Sequence, residues 1–101
     1  MPILVTGTID LDPAQRDAFI VACRELMAAT RQEAGCEHYS FAADLDDAGR
    51  FHISERWSSQ EEVDAHTASG HFLAFMGKIG DFGVRGASLT KWEGATGSPL
   101  M

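Results

Sequence analysis

An acid, an indole and an imidazole follow one another closely in the stretch FHISERWSSQEEVDAHTASGHFLAF, which runs from Phe51 to Phe75. Alternation along its opening strand puts Phe51, Ile53, Glu55 and Trp57 on one face and His52, Ser54 and Arg56 on the other. On the helix that follows, His66 has two readings. A neutral imidazole beside a phenol or quinol can accept the hydroxyl proton, leaving an electron-rich anion able to react with oxygen. Alternatively, His66 is structural and joins the helix to Glu55 or to a partner subunit. Glu55 either fixes the imidazole tautomer or is itself the base, if burial raises its pKa. A carboxylate on so apolar a face needs a partner, because burying it alone is very costly. Arg56 lies on the wrong face, so the expected partner is His66 or a group from another subunit.

Trp57 offers a flat apolar wall with one N–H donor, suited to stacking on an aromatic ring. Tyr39, Phe41, Phe72 and Phe75 can complete a substrate pocket, or can be plain core. The Tyr39 hydroxyl can orient a substrate oxygen. His71 follows a small-residue break at Ser69-Gly70 and is counted with the pocket candidates, with a surface or interface position as the alternative. Four histidines also invite a metal. His38 and His52 lie on paired strands, and His66 and His71 are five apart on an interrupted helix. Neither arrangement has the spacing of a structural zinc or of a 2-His-1-carboxylate centre, so no metal site is expected. The dispersed glycines form no phosphate loop or dinucleotide fingerprint.

The elements that position these residues are legible as periodicities. Residues 3 to 9 alternate as a first strand, with Ile3, Val5, Gly7 and Ile9 on one side. Asp12 is an N-cap, Pro13 sits at the first helical position and Gln15 completes a weak capping box. Phe19, Ala22, Cys23, Leu26 and Thr30 then recur at helical spacing up to Gly35, a C′ candidate. A second strand spans 36 to 43, with Glu37, Tyr39, Phe41 and Ala43 on one face. The aspartates of 44 to 49 suit a hairpin into the strand at Phe51. Ser59 and Glu62 form a capping box for the second helix, and residues 84 to 93 are a last strand.

The order β-α-β-β-α-β predicts an α+β, ferredoxin-like fold: a four-stranded antiparallel sheet with both helices on one face. Ile3, Val5, Tyr39, Phe41, Phe51 and Ile53 belong to the helix side. The opposite face, Leu4, Thr6, Thr8, His38, Ser40, His52, Ser54 and Arg56, suits packing against a second copy, with simple solvation as the alternative.

Glu33-Ala34-Gly35-Cys36 leading to Tyr39, then Phe51, Glu55-Arg56-Trp57-Ser58, then His66-Thr67-Ala68-Ser69-Gly70-His71-Phe72 and Phe75, together resemble the antibiotic biosynthesis monooxygenase (ABM) domain family. The resemblance covers about residues 2 to 93. It implies a dimeric α+β barrel, closed through the sheet faces of a homodimer, with a pocket between helices and sheet in each subunit. It further implies oxidation of a quinol-like or polyphenolic aromatic by molecular oxygen, independent of any cofactor. His66 and Glu55 would then be catalytic, with Trp57, Tyr39, Phe41, Phe72, Phe75 and His71 binding substrate. Two other readings stay open. One is a non-enzymatic dimeric module that binds a small aromatic. The other is a haem-binding or haem-degrading relative, a chemistry that relies on a first-strand Asn where this chain has Thr6 and Thr8.

Size and charge exclude other classes. A chain of 101 residues forms one domain, here 1–93 with a tail at 94–101. A net charge of −7 with scattered Lys and Arg argues against nucleic acid and against an anionic membrane. The amino terminus has no basic n-region and only a short apolar run, so a cytoplasmic protein is expected. Cys23 and Cys36 match no zinc or CxxC pattern and are expected to be buried, reduced thiols.

Overall fold

The computed structural model describes all 101 residues. Four strands, β1 (Ile3–Leu11), β2 (Cys36–Ala43), β3 (Arg50–Trp57) and β4 (Val84–Glu93), form one sheet in the order β2-β3-β1-β4. Every neighbouring pair is antiparallel. Three helices complete the chain: α1 (Arg16–Thr30), α2 (Gln60–Thr67) and α3 (Gly70–Lys78). The arrangement is the ferredoxin-like β-α-β-β-α-β order, with its second helix split in two. No helix is long and apolar enough to cross a membrane.

Local chemistry explains most of the boundaries. The Asp12 carboxylate accepts the Ala14 N–H at 3.0 Å and starts a 3₁₀ turn over Pro13–Gln15 that leads into α1. The face that α1 buries is Phe19, Ala22, Cys23, Leu26 and Thr30. In the hairpin before β3, one Asp44 oxygen accepts the N–H groups of Asp46 and Asp47 at 3.0 and 2.9 Å. Three expectations are corrected. Helix α1 stops at Thr30, and Gly35 instead supplies a positive φ of 79° in the turn into β2. Its carbonyl there accepts the Ser58 N–H at 2.9 Å, tying the turn to the end of β3. Ser59 makes no side-chain cap for α2. Glu37 leaves the Tyr39 face, because a register shift between Cys36 and His38 breaks the alternation and brings Glu37 to Arg56 at 3.3 Å.

Cross-strand register builds two rows on the helix side. One runs Tyr39, Glu55, Val5, Lys91, and the next runs Phe41, Ile53, Gly7, Leu89. A Cβ on Gly7 would collide with the Ser88 carbonyl oxygen and lie only 2.8 Å from the Leu89 Cδ2, so this glycine lets the backbone of β4 and the Leu89 side chain pass close over β1. Phe19 is fully buried at the centre of the core, with the rings of Phe51, Phe82, Phe75 and Phe41 around it at 4.8, 5.2, 6.0 and 6.1 Å. β4 differs from the other strands: Ala87 and Leu89, on its helix side, remain exposed. The helices leave that edge open, and the opening leads to the site.

Candidate active site

Between α3 and the sheet lies an apolar cleft of about 220 Å³. Twelve of its thirteen lining residues are hydrophobic and the thirteenth is Glu55, so one carboxylate is its only strong proton acceptor. The cleft brings Glu55 together with Tyr39, Phe41, Phe72 and Phe75, and its β4 side is lined by Val84, Ala87 and Leu89. Strand parity puts Glu55 there, directly across from Tyr39 on β2 and Val5 on β1.

The partner of Glu55 is Trp57, two residues along the same strand face. The indole N–H donates to Glu55 Oε1 at 2.9 Å. Burial pushes the Glu55 carboxyl above its ordinary 4.5, while the indole N–H and the nearby His66 act in the opposite direction. Trp57 is 0% exposed, so it stands behind the cleft wall as a support. Burial, reinforced by the charge of Glu55, drives the Tyr39 phenol upward and keeps it protonated. Burial also raises the Cys23 thiol to about 12, which removes it as a nucleophile.

His66 bonds to Glu33 where Glu55 was expected. Its ring is 2% exposed and packs among Trp57, Tyr39 and Phe72, with centroids at 4.9, 5.1 and 4.9 Å. Its Nδ1–H donates to Glu33 Oε2 at 2.7 Å, since a carboxylate oxygen can only accept. The same carboxylate oxygen accepts from His71 Nε2 at 2.9 Å. His71 therefore faces Glu33, and it also borders a separate small cavity between α1 and α3 with Ala22, Glu25 and Lys78. Neither histidine lines the apolar cleft. The two rings meet because the chain breaks between them. Ser69 caps α3 by accepting the Phe72 N–H at 3.3 Å, and its hydroxyl donates to the His66 carbonyl at 2.6 Å.

Contacts thus run in a line from the cleft toward the surface: Glu55 to Trp57 by a hydrogen bond, Trp57 to His66 by ring packing tilted 33°, and His66 through Glu33 to His71. Glu33 is the functional candidate that sequence reasoning did not assign. It sits in the turn before Gly35, outside any periodic element, and the only signal for it was a carboxylate in the EAGC segment. The cleft can do one kind of chemistry well. It can take a proton from a small apolar molecule and hold the resulting anion away from water.

Comparison with known proteins identifies the family and the fold. A sequence model of the antibiotic biosynthesis monooxygenase family matches residues 2–78. A Synechocystis protein of uncharacterised function is 30% identical over 88 residues, which make up 87% of this chain and 60% of that protein. The chain therefore spans about three fifths of that relative's length. Rv0793 of Mycobacterium tuberculosis, provisionally named a monooxygenase, is 27% identical over 89 residues, 88% of this chain and 87% of its own length. Its solved structure superposes with a TM-score of 0.87 over 98% of this chain and 100% of that one, at 24% identity. A Deinococcus radiodurans structure, provisionally named an antibiotic biosynthesis monooxygenase, gives a TM-score of 0.89 over 98% of both chains at 23% identity. At these identities the superpositions speak for the fold, and they extend over β4, beyond the residues the family model matches.

Proposed function

The chain belongs to the antibiotic biosynthesis monooxygenase family, and from that membership we propose that it oxidises a quinol-like or polyphenolic aromatic with molecular oxygen. The observation that carries this reading is a lone carboxylate, Glu55, raised in pKa at the wall of an otherwise apolar cleft. A cleft of about 220 Å³ is below the ~300–1,000 Å³ of ordinary ligand pockets, which favours one small aromatic.

Glu55 takes the phenolic proton, and the anion so formed carries its charge into the ring. The ring then gives up electrons to oxygen and forms a carbon–oxygen bond. One oxygen atom stays on the ring and the other leaves as water. All four electrons come from the substrate, as when a quinol becomes a hydroxyquinone. Tyr39, held neutral, donates a hydrogen bond to a substrate oxygen, and Phe41, Phe72 and Phe75 orient the ring. Trp57 and His66 act through Glu55 and are positioning residues, with the indole N–H keeping the carboxylate ionisable.

Oxygen uptake by purified protein with a panel of naphthohydroquinones and anthrones, corrected for autoxidation with boiled protein, tests the assignment. Glu55→Gln keeps the shape and removes the base, so uptake falls by about 10²–10⁴-fold in the folded variant. Unchanged uptake in Glu55→Gln overturns the role given to that residue. Saturable binding of the panel without any uptake overturns the oxygenase reading in favour of a binding module.

A further inference from the structure

Glu33, His66 and His71 present three metal-ligating atoms that all lie within 4.8 Å of one another. We infer that these residues form a binding site for a divalent transition-metal ion, with zinc the fitting one, which clips the turn before β2 to the break between α2 and α3. Two imidazoles with one carboxylate are a donor set that zinc accepts, with a position left for water. The donors come from three different elements, the turn after α1, the last turn of α2 and the first turn of α3. Two fixed points hold them there. Gly35, at a φ of 79°, shapes the turn that carries Glu33, and Ser69 binds both the His66 carbonyl and the Phe72 N–H.

The protonated cluster already has the topology of the bound one. Both imidazoles donate to a single oxygen, Glu33 Oε2, at 2.7 and 2.9 Å. An ion with bonds of ~2.0–2.2 Å sets neighbouring ligand atoms about 3.3 Å apart, so the carboxylate oxygen withdraws about half an ångström from each nitrogen while the two nitrogens, within 4.8 Å of each other, draw together by up to about 1.5 Å. The required freedom is on the outer side, where the His71 side chain is 29% exposed and the Glu33 side chain 16%. That side also gives an ion its entry path. His66, 3% exposed at the side chain and enclosed by Trp57, Tyr39 and Phe72, is the fixed ligand. The histidine spacing alone concealed the site, because the third ligand lies more than thirty positions upstream of both rings (|i−j| 33 and 38). None of the three ligands lines the apolar cleft, so the ion is a structural clip behind the cleft wall and takes no part in the oxidation proposed above.

The test uses the full chain, stripped with chelator, and Zn²⁺ or Co²⁺ alone as probe, so it needs no substrate. Calorimetry of the wild type gives one saturable Zn²⁺ site, Co²⁺ gives visible absorption bands, and Zn²⁺ raises the melting temperature. His71→Ala and Glu33→Gln each weaken the affinity at least tenfold and abolish the Zn²⁺-dependent rise in melting temperature. Both side chains are partly exposed, so these variants stay folded where His66→Ala does not. His52→Ala, on the other face of the sheet, leaves binding intact. No saturation up to about 1 mM Zn²⁺ overturns the inference. So does affinity that survives both His71→Ala and Glu33→Gln, or that is lost in His52→Ala.

Discussion

Glu55 is poised by opposed influences: burial raises its carboxyl, while the Trp57 N–H at 2.9 Å and the nearby His66 lower it. Removing the indole donor leaves burial less opposed, so Trp57→Phe moves the Glu55 titration to higher pH. A carboxyl-carbon NMR titration of the folded variant checks this, and an unchanged or lower midpoint contradicts it. Protein stability carries the same sign. A carboxyl raised above its unfolded value contributes stability below about pH 4.5, and that contribution is lost as pH rises through the folded pKa. Denaturation of wild type and Glu55→Gln at a series of pH values should therefore show the wild type losing ground to the variant above pH 4.5 and levelling off once Glu55 is ionised in the folded protein. At this scale the sequence was informative wherever parity decides. Glu55, Tyr39 and Phe41 occupy one face because a strand side chain has only two directions in which to point. Hydrogen-bond partners are not fixed by parity. Glu33 reaches His66 from a turn, and nothing in local spacing couples the two.

Among the elements, the break at Ser69-Gly70 governs the site. A continuous helix would turn by about 100° per residue, placing positions 66 and 71 some 500° apart and hence on different faces. The interruption lets both rings meet Glu33. Ser69 holds the break through two hydrogen bonds, so Ser69→Ala loses a cap and the tether to the His66 carbonyl. The expected cost is about 1–2 kcal/mol in a urea-denaturation experiment. A larger share of the effect should appear as faster hydrogen exchange in the first turn of α3. The strands were legible almost to the residue, since the alternation of 36–43, 51–57 and 84–93 survives in β2, β3 and β4. The departures have local causes. The bulge at Glu37 breaks parity, and the Ser59 cap is absent although its sequence pattern is present. A pattern states which bond is available, and the packing of the neighbouring chain decides whether it forms.

For the whole molecule, the unanswered demand is the outer face of the sheet. Helices cover one side only, and on the other Trp92 is 53% exposed beside Leu4 and Thr6. Much of this face's polar chemistry is already satisfied within the chain. The Trp92 indole donates to Thr6 Oγ1 at 2.9 Å, His38 bonds Ser54 at 2.9 Å, and Arg56 lies 3.3 Å from Glu37. Covering such a surface removes apolar area from water while orphaning few donors, and a self-complementary sheet face is what a two-fold axis requires. A second copy is therefore the proposed occupant. A stable pairing needs roughly 1,200–2,000 Å² of total buried surface, within reach of a four-stranded sheet face. Each copy carries a charge of −7, so the pairing should tighten as salt screens the mutual repulsion. Sedimentation equilibrium should give a dimer at physiological salt and a weaker one at low salt. Thr90→Arg, beside Thr6 on the bare face, should yield monomers. Val21→Arg, on the exposed side of α1, should leave the dimer unchanged. A monomeric wild type would show that this face is solvated, and dimerisation lost equally in both variants would remove the assignment of the contact to this face.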